Sequence, residues 1–276
     1  MSKLILNRRT ALKAAGFSAA ALSTPYFFSR GAFAQSADYC NAPTGDSVTL
    51  GFNVPQTGAY ADEGADELRA YELAVEHINA GGGGMLDTFS SKVLTGGING
   101  KKVAFVTGDT QTKSDAARAS AKRMIENDGA LMITGGSSSG VAIAVQGLCQ
   151  EAGVIFMAGL THSNDTTGKD KRANGFRHFF NTEMTGAALA PVLKNAFGSD
   201  RIAYHLTADY TWGWSQEGSI KKYTEQLGWK TAAAVRTPLG AGDFSQYITP
   251  VLNSGADVLV LNHYGRDMVN SLTAAV

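Results

Sequence analysis

The chain has 276 residues, with 24 lysines and arginines against 24 aspartates and glutamates, and two cysteines. Residues 1–34 hold five of the bases and no acid, so the remaining 242 residues carry 19 bases against 24 acids, a net charge of −5. A mildly acidic body argues against nucleic acid or an anionic membrane surface as partner, and 44% hydrophobic with 17% charged residues excludes intrinsic disorder and a coiled coil.

The N-terminus reads as an export signal. Asn7-Arg8-Arg9-Thr10-Ala11-Leu12-Lys13 precedes the apolar stretch Ala14 to Phe28, and Ala32-Phe33-Ala34 supplies the small residues of a cleavage site. A basic start, an apolar middle and an A-x-A end make a secretory signal, expected to be cut after Ala34, which places the mature protein in the periplasm. The paired arginines resemble the twin-arginine signal, read by a receptor while the precursor crosses the membrane folded. In an oxidising compartment a disulfide between Cys40 and Cys149 is open, two free thiols being the alternative of equal weight.

From residue 48 onward strand and helix alternate. Val48 to Val54 is rich in β-formers and ends at Pro55, and residues 64–80 set Leu68, Tyr71, Val75 and Ile78 on one helical face. Strands follow at Lys102 to Thr107, Leu131 to Thr134 and Val154 to Ala158, with helices at Ser114 to Asn127, capped by its serine, and Gly140 to Ala152. The charged run Lys169 to Arg172 reads as a solvated turn. Then come strand Phe176 to Asn181, helix Gly186 to Phe197, strand Arg201 to Thr207 and helix Ser215 to Leu227. Segments Thr231 to Val235, Phe244 to Asn253, Asp257 to Leu261 and a helix from Asp267 continue the pattern.

Such spacing specifies parallel sheets covered by helices in an α/β fold. The rhythm breaks near residues 159–175, so the sequence divides into a first lobe, 46–163, and a second, 164–276. The last helix runs to Val276 without a glycine cap or polar tail, and the C-terminal part of the second lobe is expected to be missing.

Ligands of parallel sheets bind beyond the carboxyl ends of strands, where helix starts offer unpaired N–H groups. Thr134-Gly135-Gly136-Ser137-Ser138-Ser139-Gly140 is such a turn: its glycines admit a ligand to the backbone, and its hydroxyls suit a carboxylate. Taken alone, the same serines read first as helix caps. The turn also satisfies Gly-x-Ser-x-Gly around Ser138, with Asp209 and His263 in the chain order of a secreted serine hydrolase, the alternative reading. Asp209-Tyr210-Thr211-Trp212-Gly213-Trp214 puts aromatics at another strand-to-helix turn, and Tyr264 follows a later strand, each a wall for a ligand.

No Gly-x-Gly-x-x-Gly follows a strand and no phosphate loop occurs, so no cofactor is expected. His77, His162, His178, His205 and His263 lack metal-ligand spacing, and no metal is expected. His162 and His263 follow strands and are placed to line a cleft.

Thr57-Gly58-x-Tyr60-Ala61-x-x-Gly64, Glu72-Leu73-Ala74-Val75-x-x-Ile78-Asn79-Ala80-Gly81-Gly82 and Gly97-Ile98-Asn99-Gly100-Lys101-Lys102-Val103 with Asp109 downstream resemble the leucine/isoleucine/valine-binding family. These are type 1 periplasmic solute-binding proteins of ABC importers. The resemblance implies two Rossmann-like lobes around a cleft, no catalytic residue, and a small ligand delivered as a monomer to a membrane permease. It implies ligand contacts from Tyr60, from Ser137, Ser138 or Ser139, from the Gly159 backbone and the Thr161 hydroxyl in the first lobe, and from Trp212 and Tyr264 in the second. The insertion Gly83 to Gly96 departs from the family pattern. An amino acid, an aromatic acid, an amide or urea all suit these residues.

Overall fold

The computed structural model describes residues 41–43, 45–83 and 96–276. The expected export signal, Cys40 and most of the Gly83 to Gly96 insertion lie outside these residues.

β1, Ser47–Val54, stops where Pro55 cannot donate to a ladder. α1, Ala61–Ala80, begins three residues earlier than the apolar periodicity predicts, with Asp62 and Glu63 in its first turn where the helix dipole favours acids. It ends at Gly81, left-handed at φ 82°, whose amide and that of Gly82 return to Ile78 and His77. β2, Lys102–Asp109, leads to α2, Ser114–Glu126, whose cap position is Lys113. Ser114 is therefore its first helical residue and not its cap, and its hydroxyl lies 3.4 Å from the Gly140 carbonyl. β3, Met132–Gly135, α3, Ser139–Ala152, and β4, Ile155–Ala158, follow, then a single turn of 3-10 helix, Asn164–Thr167.

β5 is Gly175–Arg177, shorter than the strand expected to Asn181. Phe179 and Phe180 have strand-forming side chains, but they stack on the His162 ring at 4.8 and 4.5 Å, and the Thr182 amide donates to the His162 carbonyl. The chain thus leaves the sheet and enters α4, Thr182–Phe197, capped by Asn181. β5 pairs with β4, so the first sheet, β2-β1-β3-β4-β5, takes in a strand from beyond residue 163.

Successive residues of β1 face opposite layers, as the pleat requires. A Cβ on Gly51 would stand 2.5 Å from Ile133 and 3.2 Å from Met124, in the core that α2 and α3 form with Val141, Val145, Cys149 and Phe156. Phe52 points the other way, into the core under α1 with Val75 and Val103. Cys149 is a buried free thiol, pushed up to about 12 by burial.

The second sheet has the order β7-β6-β8, all parallel, from β6, Ile202–Ala208, β7, Lys230–Thr237, and β8, Val258–Asn262. α5, Thr211–Glu225, precedes β7, α6, Ser245–Leu252, precedes β8, and α7, Gly265–Ala275, follows it. Ala203, Trp229 and Val258 form its core with Leu193, Leu227 and Val260. Among the described residues no helix is long and apolar enough to cross a membrane.

Candidate functional site

Each of the five parallel strands of the first sheet sends a loop off its carboxyl edge. Asp109, at the end of β2, joins two of them by accepting from the Gln56, Thr57 and Gln111 amides and the Thr57 hydroxyl. Burial pushes its carboxyl up, but these hydrogen bonds prevail and hold it below the usual carboxylate range. Tyr60 closes the loop after β1 and is 1% exposed. Its hydroxyl donates to that of Tyr210 at 2.8 Å, and its ring meets Tyr264 edge-on at 5.1 Å.

Tyr210 and Trp212 stand at the start of α5 and Tyr264 at the start of α7, so elements of both sheets contribute to one aromatic cluster. Trp212 lies 5.9 Å from Tyr210 and 6.3 Å from Tyr264 between ring centroids. α5 begins at Thr211 rather than Ser215, which puts both tryptophans in its first turn and not on a loop. Gly213 makes this early start possible, because a Cβ there would stand 2.0 Å from the Ala208 carbonyl oxygen. Trp214 faces solvent and donates to Asp209 at 2.9 Å. Burial raises the hydroxyl pKa of all three tyrosines, that of Tyr264 to about 12.

The three serines after β3 are buried but do not act together. Ser137, left-handed at φ 46°, donates to Glu67 at 2.6 Å. Ser139 accepts from the Ser163 amide at 3.1 Å. Ser138 occupies the cap position of α3 without a side-chain capping bond. Gly159 lies against Glu67, since a Cβ there would stand 2.1 Å from its Oε1 and 2.4 Å from the Tyr71 hydroxyl. Thr161 has no exposed surface, and its hydroxyl has no hydrogen-bond partner. Its carbonyl accepts from Arg177, which also donates to the Ser163 carbonyl, both at 2.5 Å.

Glu67 and Tyr71 escape the sequence reading. They sit one turn apart on α1, where Tyr71 donates to Glu67 at 2.6 Å, and Glu67 is 5% exposed. Burial pushes its carboxyl up, while Ser137, Tyr71, the Leu160 amide and the field of His178 pull it down, with burial prevailing. An acid one position from an apolar stripe reads as solvated. Only its spacing of four from Tyr71 and three from Gly64 hints that it faces the serine turn.

The hydrolase alternative has no triad. Both ring nitrogens of His263 lie at hydrogen-bond distance from hydroxyls, that of Thr237 at the end of β7 at 2.9 Å and that of Ser271 on α7 at 2.8 Å, and Asp209 serves Trp214. Neither reaches Ser138. His263 packs on Phe244 at 4.9 Å instead of lining a cleft. Among the described residues no group of three or more His, Cys, Asp or Glu side chains could hold a metal.

Two parallel, helix-covered sheets whose carboxyl-edge loops and helix starts meet in this way have the fold of type 1 periplasmic binding proteins. The chain belongs to the periplasmic binding protein family, whose model matches residues 47–276, and its relatives place it with the leucine/isoleucine/valine-binding group. It is 27% identical over 241 residues to Leu/Ile/Val-binding protein homolog 7 of Brucella abortus, covering 85% of this chain and 56% of that one. A periplasmic binding protein from Burkholderia mallei superposes with a TM-score of 0.69 at 26% identity, over 83% of this chain and 57% of that one. An ABC-transporter solute-binding protein from Rhodopseudomonas palustris, in complex with p-hydroxybenzoic acid, gives 0.67 at 25% identity over the same shares. The chain thus spans a little over half the length of these relatives.

Proposed function

We propose that the protein is the solute receptor of an ABC importer, binding a small polar solute where the two sheets face each other and handing it unchanged to a membrane permease. The observation that carries this reading is the aromatic cluster of Tyr60 with Tyr210, Trp212 and Tyr264, drawn from both sheets. A solute touching both sides favours a closed arrangement through contacts that an open one lacks. The orphan Thr161 hydroxyl suits a ligand, because a buried hydroxyl without a partner is costly. The names of the relatives point to amino acids and hydroxybenzoates, and amides and urea fit the same loops. We place the change of lobe after β5, export through the signal in residues 1–34, and action as a periplasmic monomer.

Trp212→Ala tests the reading. The variant is expected to keep its fold, because Trp212 is only half-buried, and to lose at least tenfold in affinity for whichever solute binds, about 1.4 kcal/mol. Unchanged affinity, measured by calorimetry, would place the solute elsewhere. The export claim is tested by replacing Arg8 and Arg9 with lysine, which is expected to hold the precursor in the cytoplasm; normal periplasmic protein from that double variant would refute it.

A further inference from the structure

Building on the solute site proposed above, we infer that Glu67 selects a solute that turns a nitrogen-borne hydrogen-bond donor, an ammonium or a carboxamide, toward the first sheet. Each carboxylate oxygen already accepts one hydroxyl, Tyr71 on Oε1 and Ser137 on Oε2, both at 2.6 Å. A carboxylate offers about four lone-pair sites, and with the Leu160 amide also donating to Glu67 one remains for another donor. Three donors, the Ser137 and Tyr71 hydroxyls and the Leu160 amide, favour its ionised form against the burial that raises its pKa. The Ser137 hydroxyl, which would otherwise greet a ligand carboxylate, is turned onto this internal anion. Gly159 leaves space for the carboxylate at the strand end, where any side chain would collide with Oε1 and the Tyr71 hydroxyl. Tyr264, at the start of α7, lies close enough for the charge of Glu67 to raise its hydroxyl pKa. The aromatic rings around Tyr264 offer the faces that attract cations. A carboxylate brought to this wall meets like charge, whereas an N–H group meets an acceptor.

The test is calorimetry on the whole chain with three matched probes: benzamide, benzylamine and benzoate. Wild-type protein is expected to bind benzamide or benzylamine at least tenfold more tightly than benzoate, and Glu67→Gln to remove that preference. The titratable groups felt at Glu67 are Tyr71 and His178, and Glu67 is itself felt at Tyr264 together with Glu63 and Asp66. Benzamide does not titrate between about pH 5 and 8, so its affinity should weaken on acidification as Glu67 takes up a proton, stay level in Glu67→Gln, and still weaken in His178→Gln. Equal or tighter binding of benzoate to the wild type, failure of both nitrogen probes to bind, or an unaltered preference in a folded Glu67→Gln would overturn the inference. Sensitivity of the bound probe to Trp212→Ala separates the two readings. A sensitive probe with an indifferent Glu67 defeats this inference alone, and an insensitive one defeats the site.

Discussion

Lowering the pH from about 7 to 5 is expected to reduce the free energy of unfolding by roughly 5 kcal/mol. Burial lowers the pKa of His162, His205 and His263 to about 4, with Arg177 adding to the effect on His162 and Lys221 and Arg236 to that on His205. In the folded protein all three rings stay neutral down to that value, while in the unfolded chain they take a proton below about 6.5. The unfolded state therefore binds more protons across this window. Stability is fully present above it and is lost as the pH falls through it. The raised carboxyls of Glu67 and Asp267 take up protons early in the folded state and oppose part of the loss. The histidine share is isolated by substitution: His263→Gln removes one of three titrating rings, and the slope of stability against pH should fall by about a third. Urea unfolding at a series of pH values reads it, and an unchanged slope in the His205, His263 double variant would defeat the assignment.

Gly64→Ala is expected to cost about 3 kcal/mol or more and Gly218→Ala to add roughly 0.5–1 kcal/mol, although both are glycines inside helices. A Cβ on Gly64 would stand 1.8 Å from the Pro55 carbonyl oxygen and 2.8 Å from the proline ring, atoms of the backbone turn that ends β1. Neither can move unless α1 lifts from the sheet, and α1 carries Glu67 and Tyr71 to the site, with Tyr60 at its cap position. Gly218 has nothing within 4 Å of its would-be Cβ, so alanine there only reduces the freedom of the unfolded chain. Thermal melts of the two variants shifting in the same direction would contradict this account of α1.

The alternation of strand and helix is visible in the sequence because each buried strand is a short apolar run and each helix keeps one apolar stripe. Edges move by one to four residues, and the larger shifts have local causes. α5 starts early because Gly213 lets it approach β6, a contact that periodicity does not encode. β5 is short because two phenylalanines that look like strand residues stack on His162. Turns that follow strands are equally visible, so the serine turn, Thr161, Trp212 and Tyr264 stand out before any coordinates. Glu67 and Arg177 do not. The burial of Glu67 depends on the serine turn closing over α1 from 70 residues away. Arg177 reads as a strand residue, yet its guanidinium holds the Thr161 and Ser163 carbonyls.

The strand orders β2-β1-β3-β4-β5 and β7-β6-β8 have a consequence for synthesis. Among the described residues every strand after the first joins an outer edge of what precedes it, and none has to be threaded between two strands already paired. The five strands described in the first sheet are all made by Arg177, before any described strand of the second begins. A chain emerging from the ribosome can therefore assemble the first sheet edge by edge, with each new strand covering the open hydrogen-bonding row left by the last, while the second sheet is still being made.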